Sequence, residues 1–224
     1  LWTAIFRLEG IGQIQGYDLD GMLRYQAWSL IVALLAQGYN SMNLAEDIRL
    51  GRISSYLVYP FDFWSFQTAT FISFQCVQVL TAGITLVPLV VGGLIKGIGV
   101  SHFLAGFTYS LIVSFFWYQV SYLIGLMAFW LEETWVLRVM FLTVAQFFSG
   151  AILPLEVYPQ ALQKILVWSP FPYMTYAPVK LFMGEYAGSV VQALGVLLAW
   201  MFITDAVNRL IWRRGLRLYT AAGM

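Results

Sequence analysis

Lys96 stands alone between two long runs of chain that carry no charged side chain. Residues 63–95 (33 residues) and 97–131 (35 residues) contain no Asp, Glu, Lys or Arg. Shorter runs of the same kind cover 25–45, 139–155 and 186–204, with 21, 17 and 19 residues. A membrane-spanning helix needs about 20 such residues, with a range of roughly 17 to 25. Five spans are therefore expected, and the two longest runs must include loop or interface residues. Solid apolar runs argue against barrel strands, which read as short alternating segments.

Composition agrees. The chain has 224 residues, 60% hydrophobic and 10% charged, and a mean hydropathy of +0.75. A soluble domain is about 25% charged, and roughly a third of its unfolded surface stays wet after folding. So little charge excludes a soluble enzyme, a nucleic-acid module and a disordered regulator. A net charge of +1 argues against polyanion binding. The single Cys76 cannot form an internal disulfide, and with the single His102 it does not make a zinc site of usual composition.

The expected fold is all-α: a polytopic membrane bundle forming one domain over 1–224. The chain opens Leu1-Trp2 without Met, and Leu1 to Phe6 reads as the end of a truncated first span. No secretory signal pattern is visible. The stretch 165–179 is uncharged but carries Pro170, Pro172 and Pro178, too close together for a regular span. Residues 153–187 are therefore expected to form an extracellular re-entrant region, with a short amphipathic helix near Gln160 to Val167.

Five spans place the loops in two sets. Segments 44–63, 131–138 and 209–224 hold Arg49, Arg52, Arg138, Arg209, Arg213, Arg214 and Arg217, seven in 44 residues. Segments 1–24, 92–100 and 153–187 hold Arg7, Arg24, Lys96, Lys164 and Lys180, five in 68 residues. The denser set is expected inside, which makes the C-terminus cytoplasmic. Asp20, Asp62, Ser101 and the run Glu132-Glu133-Thr134 stand where helix starts favour short acceptors and anions.

Polar residues recur inside the spans. Gln26, Ala33, Gln37 and Asn40 share one face of the first, and Thr143, Gln146 and Ser149 mark the fourth. Amides facing lipid are costly, so these faces turn toward protein or water. Pathway lining and interhelical hydrogen bonding both fit. Gly106, Ser110, Ser114, Ser121 and Gly125 form a small-residue line suited to close helix packing. No Lys, Arg, Asp or Glu lies deep in a span except Asp205, which speaks against a proton-coupled or voltage-sensing device. No G-x-x-x-x-G-K-[ST], H-E-x-x-H or G-x-S-x-G occurs. No catalytic or metal-ligating residue is assigned.

The segment 45–59 mixes Glu46, Asp47, Arg49 and Arg52 with apolar residues and stops at Pro60. Such a helix suits docking into a partner's groove or lying flat among headgroups. The run Ile48-Arg49-x-Gly51-x-Ile53 with Leu57-x-x-Pro60 resembles the first cytoplasmic loop of type 2 ABC-exporter permeases, in the small six-span branch. The block Phe147-Phe148-Ser149-Gly150-Ala151-Ile152-x-Pro154-Leu155, then Pro159, Ser169-Pro170-Phe171, Pro178 and Gly184, resembles the same family's fifth helix and extracellular hairpin. Gly125 to Trp130 is similar to the end of its fourth helix.

The resemblance implies the membrane subunit of an ATP-driven exporter in a bacterial inner (plasma) membrane. It catalyses nothing itself. Two ATP-binding subunits would carry ATP and Mg, and a second permease, identical or related, would complete the path. Glu46, Asp47, Ile48, Arg49, Gly51, Arg52 and Ile53 would couple to the ATPases, with Glu132 and Glu133 as a second contact. Gln37, Asn40, Thr143, Gln146 and Ser149 would line the path. Lipid is an expected partner and nucleic acid is not. The alternative is an ATP-independent secondary transporter or channel.

Overall fold

The computed structural model describes residues 2–8, 12–37, 42–97 and 99–219. Among these there is no named strand, only an isolated bridge between Ile14 and Tyr17. The helices are α1 (Trp2–Leu8), α2 (Leu19–Ala36), α3 (Met42–Arg49), α4 (Ile53–Leu57), α5 (Phe63–Val91), α6 (Val100–Leu126), α7 (Trp135–Phe148), α8 (Gln160–Leu166), α9 (Phe171–Met174), α10 (Tyr176–Met183) and α11 (Val190–Leu218). The all-α membrane bundle expected from the sequence is the fold observed.

Among the described residues, three segments, Phe63–Val91, Val100–Phe129 and Val190–Leu218, are long and apolar enough to cross a bilayer. At 1.5 Å per residue, α5 and α11 with 29 residues each reach about 43 Å, more than the apolar thickness of a membrane. The other two expected spans are shorter helices. The run at 25–45 becomes α2, which starts earlier and ends at Ala36 with 18 residues. The run at 139–155 is helical only as far as Phe148, within the 14 residues of α7.

α6 is the post around which the bundle packs. Both its faces are covered, with Tyr109, Val113, Phe116, Trp117, Tyr118, Val120 and Tyr122 among its buried residues. The small-residue line explains how neighbours come so near. A Cβ on Gly106 would lie 2.6 Å from the Phe182 ring of α10, and one on Gly125 would lie 2.9 Å from Leu44 of α3. Ser110 and Ser114 turn their hydroxyls onto carbonyls of their own helix, Gly106 O and Leu111 O. The line is therefore a packing surface. By contrast α5 buries Phe63, Gln67, Phe71 and Ala82 and leaves Ile72, Val77, Leu80, Ile84, Val87 and Val91 outward. In a bilayer those side chains face hydrocarbon or another subunit.

The two loop sets gather at opposite ends. Leu44, Ile48, Ile53, Phe63, Tyr122 and Leu126 form one cluster with Trp212, Leu216 and Tyr219 against it. Tyr17, Met22, Ile95, Val179 and Phe182 belong to another. The contacts of Gly125 and Gly106 with these clusters are 19 residues apart along α6, or about 28 Å of helix.

Helix starts differ in detail from expectation. Asp18, not Asp20, caps α2 by accepting from Gly21 N at 2.8 Å. Asp62 caps α5 through Ser65 N at 3.2 Å. Gly99 and Thr134 precede α6 and α7 with no side-chain cap bond. The region 153–187 holds three short helices in succession, α8 near the expected Gln160 to Val167, then α9 and α10.

Candidate functional site

The segment 45–59 is not one helix. α3 ends at Arg49, Gly51 takes a left-handed φ of +74°, and α4 begins at Ile53. That φ is strained for any residue with a Cβ, which accounts for glycine at this break. The break turns Ile48 and Ile53 to the same side. Both are buried, with Leu44, against Phe63, Phe71 and the α6 tyrosines. These isoleucines hold the segment on the bundle, and the charged residues stay outside.

Arg49 Nη1 donates to Glu132 O at 3.1 Å and to Glu133 Oε1 at 3.2 Å. The two predicted contact segments, 83 and 84 residues apart in the chain, thus meet in one surface. Arg52 folds back on Glu46 at 3.4 Å and Asp47 at 3.3 Å. Burial raises the Asp47 carboxyl above its ordinary value, and Arg52 opposes that rise. The Ser54 and Tyr219 hydroxyls lie 3.3 Å apart, linking α4 to the end of α11. Sequence reasoning missed the apolar part of this surface. Leu50, Leu57, Val58, Tyr59 and Phe61 are all exposed, Val58 to 85%. Their signal was there: an apolar run around Pro60 that no helical stripe absorbs.

The second region is a groove of about 310 Å³ between α2, α7 and the chain that follows α7. It is lined by Gln26, Ser29, Leu30, Ala33, Gln37, Gln146, Ala151, Ile152 and Thr175. Gln37 and Gln146, predicted from separate spans, come together here. Thr143 lies exposed one turn before Gln146, with its hydroxyl donating to Val139 O at 2.8 Å. Ser149 is 1% exposed and is not among the lining residues. Asn40 lies outside the described residues. Ser29 and Thr175 were missed. Thr175 sits in a proline-rich segment without periodicity, so no pattern pointed to it. It is fully buried, and its hydroxyl has no hydrogen-bond partner among the described residues.

The groove wall explains why an apolar run can leave helical form after Phe148. Non-helical backbone at membrane depth must be satisfied by protein. Tyr25 Oη donates to Gly150 O at 2.6 Å, Ser29 Oγ to Ala151 O at 3.4 Å and Gln26 Nε2 to Ile152 O at 2.9 Å. Tyr176 N donates to Ser149 O at 2.8 Å. Four successive carbonyls are thus taken up by α2 and α10. Gly150, at φ +84°, makes the turn. For Gln26 and Ser29, hydrogen bonding within the bundle is the observed role. Gln75 of α5 does likewise, donating to Leu35 O at 2.8 Å near the open end of α2.

Above the groove lies a charge network that the sequence did not reveal. Lys180, 8% exposed in its side chain, sits 3.4 Å from both Glu156 and Glu185. Its ammonium lies 4.6 Å from the centre of the Tyr17 ring. Arg24 pairs with Glu185. Glu156 accepts from Tyr17 at 3.2 Å and from Tyr176 at 2.8 Å. The segment from Glu156 to Glu185 is thereby tied to the start of α2.

No curated protein and no solved structure matches this chain. The family described as ABC-2 family transporter protein matches residues 1–223. With that match over nearly every residue of an apolar helical bundle, the chain belongs to the ABC-2 transporter family and is a multi-pass ABC transporter permease, of the kind that associates with ABC ATP-binding subunits.

Proposed function

We propose that this permease is the gate of an exporter driven from the cytosolic side. Two ATP-binding subunits, which hold the ATP and Mg, seat on the surface made by α3, α4 and Glu132–Glu133. The chain itself is non-catalytic. The observation that carries the reading is the Arg49 contact with Glu132 and Glu133. It makes the two loops a single surface, so a partner that moves one moves both. Arg49, Glu46 and Arg52 supply exposed charge there, and Leu57 to Phe61 an exposed apolar projection.

A second permease, identical or related, faces the groove. α7 supports this, because it buries only Ala145 and leaves Val136, Val139, Met140, Thr143, Val144 and Phe147 exposed. Together with Leu30 of α2 they form a face broad enough for a partner. Cargo would then pass along Gln37, Thr143 and Gln146. The arginine-dense end, and with it the C-terminus, faces the cytoplasm of a bacterial cell whose inner membrane holds the complex.

Co-expression with candidate ABC ATPases tests this. The expected product is a complex of two permeases and two ATPases that is lost when Leu57, Val58 and Tyr59 are all changed to Ser. In a Cys76→Ser background, Thr143→Cys is expected to cross-link permease to permease. A chain that purifies alone, with α3 and α4 open to labelling and transport independent of ATP, would overturn the reading.

A further inference from the structure

At the arginine-dense end, a polar cavity of about 200 Å³ opens beside the long apolar helices. Asp62, Trp64, Tyr122, Asp205, Asn208, Arg209, Trp212 and Arg213 line it. It lies where apolar α5 begins and where α11 changes from apolar to charged, the depth of lipid headgroups. Trp64 and Trp212 fit that depth, since tryptophan concentrates at membrane interfaces.

The charges in the lining are balanced but not all mutually satisfied. Arg209 Nε donates to Asp205 Oδ2 at 2.8 Å, closing one pair. That leaves Asp62 and Arg213, neither of which is in an ion pair among the described residues. Asp62 Oδ2 takes the cap bonds from Ser65. The innermost lining residue, Asn208, is 2% exposed and donates Nδ2 to Gln119 O at 3.0 Å. Its Oδ1 and Gln119 Oε1 are both buried and have no partner among the described residues.

We propose that this cavity binds the headgroup of a zwitterionic phospholipid bearing an N–H ammonium, that is, phosphatidylethanolamine. Arg213 takes the phosphate, with the planar donor geometry suited to it. Asp62 takes the ammonium. One free anion and one free cation match one zwitterion. A purely anionic headgroup would satisfy Arg213 and leave Asp62 opposed by like charge. A choline headgroup would bring its positive charge but no N–H donor.

The test titrates the full chain, purified in detergent, with phosphatidylethanolamine, phosphatidylcholine or phosphatidylglycerol of matched acyl chains. Retained lipid is read by native mass spectrometry and the thermal midpoint is followed in parallel. Phosphatidylethanolamine is expected to bind tightest and raise the midpoint most. Asp62→Asn keeps a helix-capping acceptor and is expected to erase the preference over phosphatidylcholine. Arg213→Gln, at an exposed position, is expected to weaken both zwitterionic lipids by about tenfold, the equivalent of one charge-assisted hydrogen bond. Arg214→Gln, on the same helix but outside the lining, should leave binding unchanged. Equal binding of all three lipids, tighter binding of phosphatidylglycerol, or an Arg214→Gln effect as large as that of Arg213→Gln would overturn the proposal.

Discussion

Arg49 and Glu133 face one another across two loops, with Arg49 Nη1 at 3.2 Å from Glu133 Oε1 and both side chains about half exposed, 45% and 62%. An exposed pair of this kind stabilises a fold by less than about 1 kcal/mol. Its value to the molecule therefore lies in holding two segments in one orientation. Arg49→Glu is expected to leave the thermal midpoint nearly unchanged and to lower ATPase activity in the assembled transporter. Joining it with Glu133→Arg should restore part of that activity. A loss of fold in the single variant, or full activity without the pair, would count against a coupling role.

Tyr25 offers a test of the groove wall. It is fully buried, and its hydroxyl satisfies Gly150 O at 2.6 Å. Tyr25→Phe leaves that carbonyl without a donor in apolar surroundings, a loss of about 1–3 kcal/mol. The expected result is a lower thermal midpoint and faster amide exchange at Ala151 and Ile152. Gln26→Ala should add less than its separate effect, because the two bonds restrain the same short segment. An unchanged midpoint in Tyr25→Phe would mean the turn at Gly150 is held some other way.

These carbonyl contacts show where sequence reading stops. The uncharged runs declared the three long helices, because lipid permits few other solutions for such segments. The distribution of arginines grouped the loops that the structure gathers at one end. Spacing on α6 gave the packing line from Gly106 to Gly125. Two things were hidden. An apolar run does not say whether its backbone is satisfied within a helix or by side chains from elsewhere, so the 139–155 run read as a span although helix α7 ends at Phe148. The Lys180 network joins residues from four separate stretches, none with a local period. In the candidate site, Gln37 and Gln146 were legible as polar residues in apolar helices. The apolar run from Leu57 to Phe61 was visible around Pro60, but nothing in one sequence tells that it points outward.

Close packing on α6 gives a paired prediction. Gly106→Ala places a methyl 2.6 Å from the Phe182 ring, so the ring or the helix must move. Overpacking of this kind costs about 1–3 kcal/mol. Gly83, in α5, has nothing within 4 Å of its would-be Cβ. Gly83→Ala is expected to be neutral or to stabilise by up to about 1 kcal/mol, through helix propensity alone. Thermal midpoints measured side by side decide it. Equal effects would mean that the approach of α6 and α10 is looser than the geometry states.

The last prediction concerns alkaline pH and the network around Lys180. Burial raises the Tyr17 hydroxyl well above its ordinary value of 10.0, and Glu156, which accepts from it, raises it further. The folded chain therefore keeps this proton at a pH where the unfolded chain loses it. Where the native state binds more protons, stability falls as pH rises. The contribution of Tyr17 is complete below pH 10 and declines above it. Tyr17→Phe has no proton to lose, so its midpoint should fall less steeply above pH 10 than that of the parent. At neutral pH it should lie slightly lower, by the loss of one hydrogen bond of about 1 kcal/mol. Lys180→Met provides the contrast. It leaves Glu156 and Glu185, 34% and 39% exposed, facing a site without its cation, and solvent reaching both carboxylates holds the cost below the roughly 3–5 kcal/mol of a fully buried pair. That loss should already be present at pH 7. A Tyr17→Phe curve parallel to the parent above pH 10 would show that the tyrosine is free to ionise in the folded chain.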